Sequence, residues 1–147
     1  MATNTEITVN ISQTLANLMR MNSELKNMKE PLTQSATYME GSIGRRFSAA
    51  AWTPLAASTI KRHPHRAGGK PLNDGGTLRG SVTGGAIKTV GRESLHFGTN
   101  LPYAAIHNFG GATKFGYIPQ RQFLYFDSKD EAAIKRVFEE YIKGLAN

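Results

Sequence analysis

From residue 48 to residue 77 the chain gives up apolar periodicity, and this break constrains every arrangement of what lies on either side. His63-Pro64-His65-Arg66-Ala67-Gly68-Gly69-Lys70-Pro71 and Asn73-Asp74-Gly75-Gly76 crowd turn formers together, and after Leu55 nothing recurs at helical or strand spacing. Proline fixes φ and lacks an N–H, and glycine tolerates conformations that other residues avoid, so a long loop over about 56–77 is expected. A loop of that length inside a compact domain is functional or disordered. It carries Lys61, Arg62, Arg66 and Lys70 with no acid before Asp74. We expect the arm to be mobile in the free protein and to become ordered on a partner.

The 147 residues suit one domain, long enough to bury roughly two-thirds of the surface of the unfolded chain. Ile7, Val9 and Ile11 alternate with polar residues as in a short half-buried strand. From Ser12, the residues Leu15, Leu18, Met19, Leu25 and Met28 form a helical stripe that Asn10 or Ser12 can cap. Asn22 interrupts it, either as a polar edge residue or as a register-setting residue in a helix pair.

Pro31 ends that helix and starts a second one, whose face is Leu32, Ala36, Met39, Ile43 and Phe47. Gly41 and Gly44 weaken it by about 1 kcal/mol each relative to Ala and permit close approach of a neighbour. Strands over 86–90 and 94–97, joined by Gly91-Arg92-Glu93, predict an antiparallel hairpin. Pro102 opens a short helix that Gly110 or Gly111 ends, with Tyr103, Ile106 and Phe109 on one face and His107 beside Tyr103. Residues 112–126 form a second hairpin or an extended arm. Ser128 and Glu131 make a capping box for a C-terminal helix with the stripe Ile134, Val137, Phe138, Tyr141, Ile142 and Leu145. The fold class is therefore α+β: N-terminal helices and a C-terminal helix packed on a small antiparallel sheet, with a long basic loop.

Catalytic constellations are hard to assemble from these residues. His63, His65, His96 and His107 lack the Cys or carboxylate partners of a metal site, and a His-Asn-His nuclease built on His63, Asn73 and His107 would lack acids to hold Mg²⁺. No nucleophile elbow accompanies His107, which reads as a partly buried histidine bonded to backbone or to a neighbouring subunit. Gly75-Gly76-Thr77-Leu78-Arg79-Gly80-Ser81 lacks the Lys-Ser/Thr ending of a phosphate loop and reads as a tight turn feeding a strand. Trp52 is read as a plug between helices and sheet. Arg121 is read as one half of a fork with an acid of its own chain or of a neighbour. No enzyme activity, metal or cofactor is expected.

Several short motifs stand in a fixed order: Arg46-Phe47, Trp52-Thr53-Pro54-Leu55, Gly76-Thr77-Leu78-Arg79-Gly80-Ser81, Phe97-Gly98-Thr99-Asn100, Tyr103-Ala104-Ala105-Ile106-His107-Asn108-Phe109-Gly110, and Ile118-Pro119-Gln120-Arg121-Gln122-Phe123-Leu124. Over residues 46–124 this order resembles the virion morphogenesis, or tail completion, family of Mu-like tailed bacteriophages. Two departures are a shifted Gly75-Gly76-Thr77 and Gln122 where a second proline is common. The resemblance implies a structural protein of the virion tail or neck, assembled in the host cytoplasm, that completes the tail and joins it to the head as a ring. Its partners would be connector, tail-tube or terminator proteins. Trp52, Pro54, Leu55, Gly76, Leu78, Tyr103, His107, Gly110, Pro119, Arg121 and Phe123 would be fold-signature positions.

Charge supports a docking role. Residues 41–126 carry +9, whereas 1–40 and 127–147 carry −1 each. Such a field favours an acidic partner surface or nucleic acid. Docking of the arm on an acidic neighbouring protein is preferred, with non-specific contact to DNA in the channel second, because a conduit gains nothing from gripping DNA. A basic nucleic-acid-binding module is the alternative; it lacks interleaved aromatics and a reading helix. No cysteine, no signal-like start and no long apolar run lead us to expect a cytoplasmic origin and no membrane span.

Overall fold

The computed structural model describes residues 5–12 and 27–145. The elements are β1 (Thr5–Asn10), α1 (Lys29–Ala49), α2 (Ala57–Arg62), α3 (Thr77–Ser81), β2 (Ile87–Val90), β3 (Ser94–Thr99), α4 (Ala104–Phe109), β4 (Gly111–Thr113), β5 (Gly116–Ile118) and α5 (Ser128–Leu145). This is an α+β fold. The expected helix from Ser12 onward, with Asn22 in its stripe, lies outside the described residues beyond its first position. There Asn10 Oδ1 does accept a hydrogen bond from the Ser12 N–H at 2.9 Å.

β3 is the centre of a three-stranded antiparallel sheet in the order β1-β3-β2. The register places Ile7 opposite Phe97 and Val9 opposite Leu95. Val9, Leu95 and Phe97 are buried, while Thr8 and His96 share the opposite face and bond at 3.1 Å. One face is therefore core and the other wet, as the period of two dictates. Gly98 is required by packing: a Cβ there would collide with the Thr5 carbonyl and the Glu6 backbone of β1.

α1 lies against this sheet and buries Leu32, Ala36, Met39, Ile43 and Phe47, the stripe read from the sequence. Pro31 falls in its first turn, where the missing N–H has no partner to lose. Lys88 of β2 shares the inner face with Phe97 and forms an ion pair with Glu40 of α1. The two glycines of α1 do not serve close approach. A Cβ at Gly44 would sit at ordinary contact distance from Thr83, 3.8 Å, and one at Gly41 would meet only Arg45 of the same helix at 3.4 Å.

α5 packs on α1, burying Ile134 and Phe138 and half-burying Tyr141, Ile142 and Leu145. Its cap is one residue earlier than expected. Asp127 Oδ1 accepts from the Asp130 N–H at 2.9 Å, and Asp130 Oδ2 accepts from the Asp127 N–H at 3.1 Å, so the reciprocal box is Asp127/Asp130 rather than Ser128/Glu131. Two overlapping cap signatures competed, and the carboxylate pair prevailed because Asp130 also answers to α1. It accepts from the Ser42 hydroxyl at 2.6 Å and from Arg46 Nη2 at 2.5 Å, in a seam where Arg46 and Asp130 side chains are 10% and 2% exposed. Burial pushes the Asp130 carboxyl up. The Ser42 hydroxyl, the Asp127 N–H and the Arg46 charge together outweigh it and hold the group below its ordinary value.

The segment expected as one long loop contains α2 and a 3₁₀ turn at Pro64–Arg66. No residue of α2 is buried, so it leaves no apolar stripe to detect. The glycine-rich motif opens α3 rather than a strand. Gly76 takes φ 82°, Leu78 packs into the core, and the turn toward β2 comes at Gly85, whose N–H donates to the Gly80 carbonyl at 2.9 Å.

Candidate functional site

Three short segments distant in sequence clasp one another through side-chain bonds to main chain. Trp52 sets its ring edge-on against Phe47, centroids 5.3 Å apart at 74°, and its indole N–H donates to the Gln122 carbonyl at 2.9 Å. Phe47 also packs on Phe123 at 5.5 Å. The plug thus joins α1 to the segment before α5.

Arg121 closes the same clasp. Its Nε donates to the Thr53 carbonyl at 2.7 Å and Nη2 to the Pro54 carbonyl at 2.8 Å. The fork with an acid does not occur among the described residues, because the carbonyls of Thr53 and Pro54 present the acceptors at distances that suit a guanidinium. Arg121 is only 6% exposed, and its own N–H donates to the His107 carbonyl at 2.9 Å.

α4 is the third segment. Its buried face is Ala104 and Asn108, while Tyr103 and Phe109 stand 42% and 61% exposed. Asn108 Oδ1 accepts the N–H groups of Phe123 at 3.0 Å and Leu124 at 2.9 Å. Gly110 ends α4 at φ 71°, and a Cβ there would stand 2.7 Å from the Gln120 nitrogen. The motifs around residues 52, 103 and 118 are the parts of one joint. Asn108 was not singled out from sequence. Its only signal was a polar residue four positions after Ala104, on the face turned away from the aromatics.

His107 sets its ring edge-on to Tyr103, with centroids 6.2 Å apart. Its Nδ1 is buried without a hydrogen-bond partner among the described residues, so of the two expected partners the backbone of its own chain does not bond it there. Burial, and then the Arg121 charge, hold its pKa below the ordinary value and keep it neutral near neutrality.

Beside this joint opens a cleft of about 910 Å³. The arm forms one wall, the β4–β5 hairpin the other, and Tyr103, His107 and Arg121 line it between them. Phe115 and Tyr117 of the hairpin are 77% and 73% exposed. Leu55, Leu78 and Pro119 line the same cleft, and Gly76 shapes the arm's entry to it.

The four basic arm residues divide into two pairs. Arg66 is buried, donates to the Lys70 carbonyl at 3.3 Å and pairs with Asp74 at 3.4 Å. Lys70 Nζ donates to the Ser48 carbonyl at 2.6 Å. Lys70 ties the arm to α1 and Arg66 braces the arm internally, whereas Lys61 and Arg62 are exposed. His65 adds a 3.3 Å contact to Asp74. Among the described residues no three His, Asp or Glu gather as metal ligands, and no helix is long and apolar enough to cross a membrane. The arrangement offers recognition: aromatic faces, outward charge and a rigid floor.

Comparison with known proteins agrees with the motif order. Residues 8–143 match the phage virion morphogenesis family. The chain is 31% identical over 147 residues to Mu-like prophage FluMu G protein 2 of Haemophilus influenzae, covering 95% of this chain and 97% of that one. No solved structure matches. A match over almost the whole length, with the family's motifs forming the structural joint, means that the chain belongs to the phage virion morphogenesis family and has a structural, virion-associated role in phage morphogenesis.

Proposed function

We propose that the protein completes the phage tail and joins it to the head, as a neck subunit that assembles into a homo-oligomeric ring and docks on connector, tail-tube or terminator proteins. The observation that carries this reading is the cleft. Exposed Tyr103, Phe115 and Tyr117 stand beside outward-facing Arg62 on a floor fixed by buried Arg121 and Asn108. Aromatic and arginine side chains on a rigid base are what interface anchors are made of. The protein acts by binding and performs no turnover. Lys61 and Arg62 supply the arm's docking charge, since Arg66 and Lys70 are spent on internal bonds.

The same division weakens the nucleic-acid reading, because Arg66 is buried and unavailable to a phosphate backbone. Electron microscopy and mass measurement of the purified chain, alone and with tail tubes, test the proposal. Rings, and particles capping tube ends, are expected. A chain that stays monomeric and ignores every neck and tail component would refute it. So would sequence-selective binding of duplex DNA that persists at physiological salt.

A further inference from the structure

Arg121 is a buried cation without a carboxylate. Among the described residues no acid pairs with it, and its two bonds go to uncharged carbonyls. Asp74, the one acid lining the cleft among the described residues, is engaged by Arg66 and His65. Among the same residues Arg62 on the wall has no ion-pair partner, and the buried Nδ1 of His107 has no hydrogen-bond partner. Buried charge is costly unless paired, so this cleft is electrostatically incomplete in the single chain. Its aromatic walls favour an occupant that brings apolar side chains together with carboxylates, which describes a protein surface and not a phosphate chain.

The chain carries such a surface itself. Glu30 and Gln34 of α1, with Glu140, Tyr141 and Leu145 of α5, surround a shallow depression of about 410 Å³. Both glutamates are exposed, while Tyr141 and Leu145 are half-buried. This patch lies at the start of α1, whereas the cleft adjoins its far end through Phe47 and Trp52. At about 1.5 Å per residue, the helix separates Glu30 from Phe47 by roughly 25 Å. Two complementary surfaces at opposite ends of one rod cannot satisfy each other within a subunit. They meet only between copies, head to tail, which is the heterologous contact that closes a ring.

We propose that the cleft receives the Glu30/Glu140 patch of a second copy, with Arg62 and Arg121 facing its carboxylates and Tyr103, Phe115 and Tyr117 packing on Tyr141 and Leu145. This rests on the ring reading above and names its interface. The test uses the full chain and two charge reversals at exposed positions, Arg62→Glu and Glu140→Lys, with circular dichroism to establish that both variants are folded. Sedimentation velocity should show each variant alone weakened in self-association by about tenfold or more, since like charges then face each other. An equimolar mixture should recover assembly, because native cleft meets native patch at one junction and the two reversed surfaces, again of opposite charge, meet at the next.

If the wild type assembles and both variants assemble equally well, the interface is elsewhere although the ring stands. If each variant fails and the mixture also fails, the pairing is wrong. If the wild type stays monomeric at every concentration, the interface and the ring fall together. If Arg62→Glu abolishes retention of DNA but leaves assembly unchanged, the occupant is nucleic acid and the proposal is overturned.

Discussion

Replacing Asp130 by Ala would remove the acceptor on which the α1–α5 seam converges. Its carboxylate takes bonds from the Ser42 hydroxyl, Arg46 and the Asp127 N–H, and the residue is 1% exposed. Breaking a buried pair by deleting one partner costs about 3–5 kcal/mol, because the other charge stays behind unpaired. Arg46 would keep the Phe123 and Tyr125 carbonyls at 3.1 and 2.8 Å and its stack on the Tyr125 ring at 3.5 Å, which places the electrostatic part at the lower end. Loss of half the capping box adds about 1 kcal/mol. The sum of roughly 4 kcal/mol is a large share of the 5–15 kcal/mol that holds an ordinary domain folded. For a chain of this size it lowers Tm by about 8–16 °C. Urea unfolding followed by circular dichroism measures it. The paired replacement Arg46→Met with Asp130→Leu should cost less than Asp130→Ala alone, since it strands no charge. A loss under about 1 kcal/mol for Asp130→Ala, as for a solvated surface pair, would refute the reasoning.

Asn108→Ala should cost about 2–4 kcal/mol by leaving the N–H groups of Phe123 and Leu124 without an acceptor, while Phe109→Ala, one residue away and exposed, should change stability little; chemical denaturation of the two variants checks the contrast. Stability should fall with acid in two stages. The His107 pKa is lowered from 6.5, so the unfolded chain takes up that proton first; stability is full above about 6.5, declines as pH drops toward the lowered value, and then levels. The Asp130 carboxyl is lowered from 3.8, so its contribution is present above that value and lost as pH falls through the folded one. Urea midpoints between pH 8 and pH 3 should show both stages, and His107→Gln should erase the first.

The parts legible in the sequence were those whose burial repeats with a period. Leu32 to Phe47, the strand Ser94–Thr99 and Ile134 to Leu145 advertise one apolar face at helical or strand spacing, and the core took those faces. Periodicity is silent where nothing is buried, which hid α2. It also groups residues on a face without saying which face turns inward. In α4 the core took Ala104 and Asn108 and left Tyr103 and Phe109 to solvent. At the candidate site, Trp52 and Arg121 were recognisable as positions, but their partners were not. Side chains that bond to distant carbonyls leave no trace in the residue types of the acceptors. The Ser42–Arg46–Asp130 network was invisible for a related reason, since it joins segments more than eighty residues apart.

Arg121 differs from that network in one respect with practical weight. A guanidinium does not surrender its proton under ordinary conditions, and a peptide carbonyl does not acquire one, so the bonds from Arg121 to Thr53 and Pro54 are blind to acidity. The helix layer depends on an ionised aspartate and is not. Acidification therefore reaches the two regions through different groups: the knot feels it only through the imidazole of His107 beside Arg121, and the seam between the two long helices loses its own anchor later, when Asp130 takes up a proton.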